Sequence, residues 1–299
     1  MSQILLHIGF AKSGSTYLQR WFEAHPDLYY QPKHIAGGFY HAWELAKKVQ
    51  HSEKAPENFV LSCEDFSIWK SEPYIYGVRG TKPYNYRKFQ DTLCKTLHGL
   101  HPSAKVLIVT RGYTTIFKSM YGQYLGMTGT LTFEEMMLDH KDMFAAMLDY
   151  TYVINLYRAQ FGADNVILLP FELLQKDPVK FLSLIEQGIH LDSKFEFHPN
   201  KINAAHPPEL LKLYFKLSNL VYRLLKPFPW SWQTGVYQWY MNIMRAETLH
   251  RVMMFLSKAI KDKQMNWQGL DEALITYKGK ADILKTEDLY QPFLKEYLL

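Results

Sequence analysis

The sequence predicts an α/β fold, a parallel β-sheet flanked by helices, with a C-terminal helical hairpin elaboration. Three observations predict it. Short apolar runs at residues 4–10, 58–62, 105–110 and 165–169 alternate with longer segments of helical period. The runs are almost continuously apolar, as strands covered on both faces are, rather than alternating. After about residue 205 the strand-like runs stop and two long amphipathic segments follow.

Residues 4–10 read as the first strand. Gly9 and Gly14 interrupt it, and Tyr17, Leu18, Trp21 and Phe22 then recur at helical spacing, so strand, tight loop and helix follow one another. Residues 58–62 are a second strand, and residues 105–110, Lys-Val-Leu-Ile-Val-Thr, a third, with a helix expected over 114–125. Residues 144–161 read as one long helix closed by Gly162 as a left-handed stop. A fourth strand at 165–169 and a helix at 179–187 complete the alternation. Residues 209–226 then set apolar positions 210, 213, 214, 217, 220, 221 and 224 against a polar stripe of Lys212, Lys216, Asn219, Arg223 and Lys226. A second helix is expected over 236–260. Between the two, Pro227-Phe228-Pro229-Trp230-Ser231-Trp232 reads as a turn, because each proline breaks a helix. Residues 1–299 are read as a single domain with 205–265 as a helical elaboration within it.

The chain has 299 residues, of which 47% are hydrophobic and 21% charged, which suits a large core and excludes disorder. A net charge of +5 favours an anionic ligand but is too diffuse for nucleic acid. Cys63 and Cys94 form neither a CxxC pair nor a disulfide framework, and the twelve histidines show no metal-ligand spacing, so no metal is expected. The N-terminus enters a strand directly, without the basic and apolar regions of a signal peptide. No run reaches the ~18 apolar residues of a spanning helix. The expectation is a cytoplasmic protein whose membrane contact, if any, is peripheral and on the inner face.

The chemistry is concentrated in the segment from His7 to Leu18. A helix N-terminus presents unpaired N–H groups and partial positive charge, which suit a phosphate. Gly14 permits close backbone approach, Ser13, Ser15 and Thr16 add hydroxyl donors, and Lys12 adds a full charge. The loop is P-loop-like without being a Walker motif, since its lysine precedes the glycine by two positions. The third strand ends in Thr110-Arg111, at the strand edge where open α/β sheets bind ligands. Ser119 follows Arg111 by eight residues, about two helical turns. Guanidinium and hydroxyl at that spacing suit a second phosphate.

The loop resembles the 5′-phosphosulfate-binding loop of sulfotransferases that use 3′-phosphoadenosine 5′-phosphosulfate (PAPS), typically Pro-Lys-Ser/Thr-Gly-Thr-Thr. Here Ala11 stands for the proline and Ser15 for a threonine. Arg111 with Ser119 resembles the family's 3′-phosphate element. Residues 161–174 and 289–295 resemble segments of bacterial and carbohydrate sulfotransferases, and Tyr277-Lys278-Gly279-Lys280 resembles a Lys-Gly-Arg loop that grips the 3′-phosphate. The resemblance spans most of residues 4–190 and the C-terminal segment, and leaves 205–265 uncovered.

It implies sulfuryl transfer from PAPS to an acceptor hydroxyl by in-line displacement, with 3′-phosphoadenosine 5′-phosphate as product and no metal. It places Lys12 on the bridging oxygen, and Tyr17 near adenine unless that ring is core. Lys278, Gly279 and Lys280 fall on the 3′-phosphate. The reaction needs a base for the acceptor proton. The resemblance favours Glu64, after the second strand, with His34 and His41 as alternatives lining the acceptor cleft. Glu64 and the chain ending are similar to glycan enzymes, so a glycan or glycolipid acceptor is expected. Arg79 and Tyr84, with Tyr74, Tyr76 and Lys82, form an aromatic and basic loop suited to it. Two rival readings stand beside this one. A P-loop-type small-molecule kinase would need a Walker lysine and a metal-binding acid, and neither is evident in the sequence. A non-catalytic PAPS-binding adaptor would touch a membrane surface through Phe228, Trp230 and Trp232, but it leaves Lys12 and Glu64 without a role.

Overall fold

Burial on both faces explains why the strands are apolar throughout. The computed structural model describes residues 3–30, 58–63, 85–191, 195–197, 206–244, 246–260 and 264–298. Its strands are β1 (Gln3–Gly9), β2 (Tyr29–Tyr30), β3 (Asn58–Cys63), β4 (Lys105–Thr110) and β5 (Val166–Pro170). They form one sheet in the order β2-β3-β1-β4-β5, with every pairing parallel. Leu6, Ile8, Val106, Ile108 and Leu168 point into one core, and Leu5, Val60, Leu107, Val109 and Leu169 into the other.

The helices are α1 (Ser15–Ala24), α2 (Tyr86–Leu100), α3 (Tyr113–Gly126), α4 (Phe133–Asp139), α5 (Lys141–Met147), α6 (Tyr150–Phe161), α7 (Phe171–Lys176) and α8 (Pro178–Gly188). Beyond the sheet come α9 (Pro208–Leu225), α10 (Trp230–Met244), α11 (Glu247–Ser257) and α12 (Leu270–Thr276). Helices α9 to α11 share a small core of their own around Leu210, Tyr214, Met244 and Met253. Within the sheet, Gly9 stands opposite Val109, so the ends of β1 and β4 are level. That register sets the loop after β1 beside the residues that follow β4.

Several local features differ from the sequence reading. The segment 144–161 is two helices, because Asp149 accepts from Tyr152 N at 3.1 Å and caps α6. Arg87 and Lys280 pair with the same carboxylate at 2.6 and 3.1 Å and hold it there. Gly162 ends α6 at φ 86°, ψ 145°, outside the left-handed helical basin yet still in glycine territory. Pro229 does not keep Trp230 to Trp232 out of a helix. Its carbonyl accepts from Trp232 N and Gln233 N, so it starts α10, and the turn is confined to 226–229. The closing segment forms a 3-10 helix, Asp288–Glu296. The expected helix over 236–260 is likewise divided, between α10 and α11.

His7 packs inside β1. It is buried, and its Nδ1 lies 2.7 Å from Ser62 Oγ. Burial lowers its pKa to about 3. The native state therefore holds His7 neutral, while the unfolded chain takes up a proton below the ordinary value of 6.5. Stability contributed by this group is present above pH 6.5 and is lost as pH falls towards 3, at about 1.4 kcal/mol per pH unit. His7→Asn keeps a partner for Ser62 but cannot titrate. Urea unfolding at pH 7 and pH 5 should show the wild type losing on the order of 1–2 kcal/mol more than the variant. Equal losses would mean that His7 is not held neutral.

Candidate active site

The loop between β1 and α1 is built from an uncommon backbone. Lys12 adopts φ +67° and Gly14 φ +86°, on either side of Ser13. Such alternation turns successive N–H groups towards one point, the geometry of an anion nest. Ser13 N donates to Phe10 O at 3.2 Å and closes the turn. Helix α1 starts without a side-chain cap and without an acid in its first turn. Its first N–H groups, on Ser15, Thr16 and Tyr17, have no intrahelical acceptor. A Cβ on Gly14 would lie 2.9 Å from Leu174 Cδ2 and 3.1 Å from Phe171 Cε2, so packing and φ both require glycine there.

The hydroxyls of this loop are its most telling feature. Ser13 and Ser15 are 1% and 3% exposed, and among the described residues neither Oγ has a hydrogen-bond partner. A buried unsatisfied hydroxyl costs about 1–3 kcal/mol. Two of them at an uncapped helix N-terminus fit an anion that supplies the acceptor oxygens.

Arg111, the residue after β4, is tied to this loop. Its Nη1 donates to Lys12 O at 2.6 Å, and its Nε donates to Thr115 Oγ1 at 3.1 Å. The guanidinium lies 4.6 Å over the Phe171 ring. Burial lowers the Arg111 pKa, and Glu172 opposes the shift most strongly. Glu172 also accepts from Gly112 N at 2.9 Å, and Tyr150 OH donates to Arg111 O at 2.6 Å.

Lys12, Ser13, Gly14, Ser15 and Arg111 are thus brought together. Thr16 is half-buried in the first turn of α1. Tyr17 is half-buried, packed edge-on against Phe197 at 5.4 Å, and burial raises its pKa. Ser119 is half-buried on α3, about 9 Å along the axis from Tyr113. Lys278 is exposed, Gly279 has φ +79°, and Lys280 pairs with Asp149 at 3.1 Å. Among the described residues nothing joins this loop to Arg111 or Ser119. Glu64, His34, His41, Arg79 and Tyr84 lie outside the described residues. So do Tyr74, Tyr76 and Lys82.

Sequence reasoning missed the residues that hold Arg111: Thr115, Phe171, Glu172 and Tyr150. It also missed a histidine pair. The His206 ring lies 5.2 Å from that of His250, whose Nδ1 is 2.9 Å from Tyr214 OH. Burial, then His250 and Lys12, lower the His206 pKa, so a neutral imidazole stands within electrostatic reach of Lys12. A cavity of 370 Å³ at the far end of α3, between Tyr121, Phe133, Phe215 and Lys216, is lined by no residue of the phosphate loop and is separate from this site. Among the described residues no group of three or more His, Cys, Asp or Glu is placed to hold a metal.

No protein-family model matches the chain, and no curated protein matches it. Among solved structures it is similar to a sulfotransferase from Alicyclobacillus acidocaldarius, at 18% identity and TM-score 0.49 over 78% of this chain and 99% of that one. It is also similar to a mouse sulfotransferase complexed with PAP, at 14% identity and TM-score 0.39 over 87% of this chain and 89% of that one. Both TM-scores fall below 0.5.

Removing both hydroxyls, Ser13→Ala with Ser15→Ala, should separate stability from binding. The ligand-free melting temperature should hold or rise, because two buried unsatisfied groups are gone, while calorimetric affinity for 3′-phosphoadenosine 5′-phosphate falls at least about tenfold. A lower melting temperature with unchanged affinity would make the serines structural.

Proposed function

We propose that the chain is a PAPS-dependent sulfotransferase acting on an acceptor hydroxyl, of a glycan or glycolipid, in a reducing cytoplasmic compartment. The observation that carries this reading is the pair of buried, unpartnered serine hydroxyls in a loop flanked by Lys12 and Arg111. The loop offers donors and positive charge for a bound phosphosulfate. A kinase reading would assign a metal-binding acid to the end of β4, where Arg111 stands instead.

In the proposed reaction the acceptor oxygen bonds to sulfur as the bond from sulfur to the bridging oxygen breaks. The electron pair of that bond leaves with the 5′-phosphate, and the acceptor proton goes to a base. Lys12 neutralises charge growing on the leaving oxygen, and the Ser13 and Ser15 hydroxyls with the first N–H groups of α1 hold the phosphate oxygens. Arg111 positions Lys12 through its carbonyl and contributes charge to the 3′-phosphate side with Ser119.

Glu64 is the base in this reading, at the end of a strand whose Cys63 stands opposite Ile8. A second reading assigns that role to His206, whose imidazole is kept neutral by burial, then by His250 and Lys12. Neutral imidazole accepts a proton, and Tyr214 OH orients its partner His250.

Lys12→Ala should lower kcat with PAPS by on the order of 10²–10³, with the far-UV spectrum unchanged. Retention of more than about a tenth of the activity would remove Lys12 from the transition state. Glu64→Gln and His206→Gln should then part company. The variant of the true base loses kcat at unchanged PAPS affinity, and the other stays near wild type. Release of the bisphosphate product from PAPS, and no phosphoryl transfer from ATP with magnesium, distinguishes the sulfotransferase from a kinase.

A further inference from the structure

Of the thirteen exposed large apolar side chains among the described residues, nine lie between residues 220 and 256. On α9, Leu220 and Leu224 are 54% and 64% exposed, one turn apart. Phe228 continues that step into the turn, and its ring stacks on Trp232 at 6.5 Å and 9°. Trp232, Val236 and Trp239 then share one face of α10, with both tryptophans 64% exposed. On α11, Val252, Phe255 and Leu256 are exposed as well. These helices already bury another face against each other, through Leu210, Tyr214, Met244 and Met253. A helix on a soluble surface needs one apolar face, and a second one turned outward marks an interaction surface.

Charge identifies what covers it. Residues 206–260 hold seven Lys and Arg against two Asp and Glu, an excess of five that equals the net charge of +5 of the whole chain. The remainder of the molecule is balanced. Lys216 and Arg223 are exposed four residues before and three after Leu220, so they flank the apolar stripe of α9, and Lys226 is exposed beside the turn. A second copy would set two such basic faces against each other, and protein interfaces are poor in lysine at their centres. Tryptophans beside lysines and arginines on a helical surface suit the headgroup layer of an anionic bilayer. Among the described residues no helix is long and apolar enough to cross a membrane.

We propose that the outer face of α9 to α11 is a docking surface for anionic lipid bilayers. Its aromatic and aliphatic side chains enter the headgroup layer, and its basic residues meet the lipid phosphates. The inference stands apart from the transfer chemistry, since vesicle binding and bisphosphate binding are measured separately.

The test is co-sedimentation of the full chain with phosphatidylcholine vesicles containing about a third phosphatidylglycerol. Binding should be accompanied by a blue shift of tryptophan fluorescence. It should weaken at least about tenfold on pure phosphatidylcholine or on raising salt from about 0.1 M to about 0.5 M. Trp232→Ser with Trp239→Ser should abolish it, and Arg223→Glu with Lys226→Glu should remove the anionic preference. Both variants should keep the wild-type melting temperature and affinity for 3′-phosphoadenosine 5′-phosphate. Absence of vesicle binding by the wild type, or wild-type binding by the tryptophan variant, overturns the proposal. So does a dimer that the tryptophan variant dissolves. A fall in melting temperature without any vesicle binding overturns it too, because the face is then covered by the chain itself.

Discussion

The hydrogen bond from Arg111 Nη1 to the Lys12 carbonyl, 2.6 Å long, joins the two halves of the candidate site. It exists because β1 and β4 are neighbours in register, with Gly9 opposite Val109, so that the residues leaving the two strands emerge side by side. A charged donor on a neutral carbonyl, with the guanidinium largely withdrawn from water, is stronger than an ordinary amide bond. Thr115, Phe171 and Glu172 act on the same residue from α3 and α7, and Tyr150 holds its carbonyl from α6. Elements from across the chain thereby converge on the shape of one short loop.

That loop is not built for stability. A non-glycine residue at φ +67° costs roughly 1–2 kcal/mol, and each buried orphan hydroxyl adds a comparable amount. Strain of this kind persists where the surroundings over-determine it. Here they do so twice, through Arg111 on the Lys12 carbonyl and through Leu174 and Phe171 packed where a Gly14 side chain would be. The loop is thus held in a form that suits an anion before one arrives, which limits the reorganisation that binding would require.

The helical elaboration follows a different logic. Helices α9 to α11 have a core of their own, small and rich in methionine and tyrosine, and they leave a second apolar face outward. Tyr214 and His250 link this unit inward to His206, which feels the charge of Lys12, while the other side of the same helices carries the exposed tryptophans. One side of this unit therefore faces His206, and the other faces outward.

Much of the sheet, the tight loop between β1 and α1 and the amphipathic character of α9 could be read directly from the sequence. Each is written in local pattern: apolar runs of strand length, a glycine between two serines after a strand, a repeat near 3.6. The break in the helix at Asp149 could not be read so, because the cations that hold its carboxylate, Arg87 and Lys280, lie far away in the chain. Nor could the partners of Arg111, the influence of Lys12 on His206, or the outward turn of Trp239. A hydrophobic period says that a helix has an apolar face, but not whether a neighbour covers it. A lysine or arginine in sequence carries charge, but its partner is set by which strands lie side by side. The sequence by itself determined the local elements and the chemistry available to the loop. The tertiary structure decided which groups meet there, because those contacts depend on strand order, register and packing between distant segments.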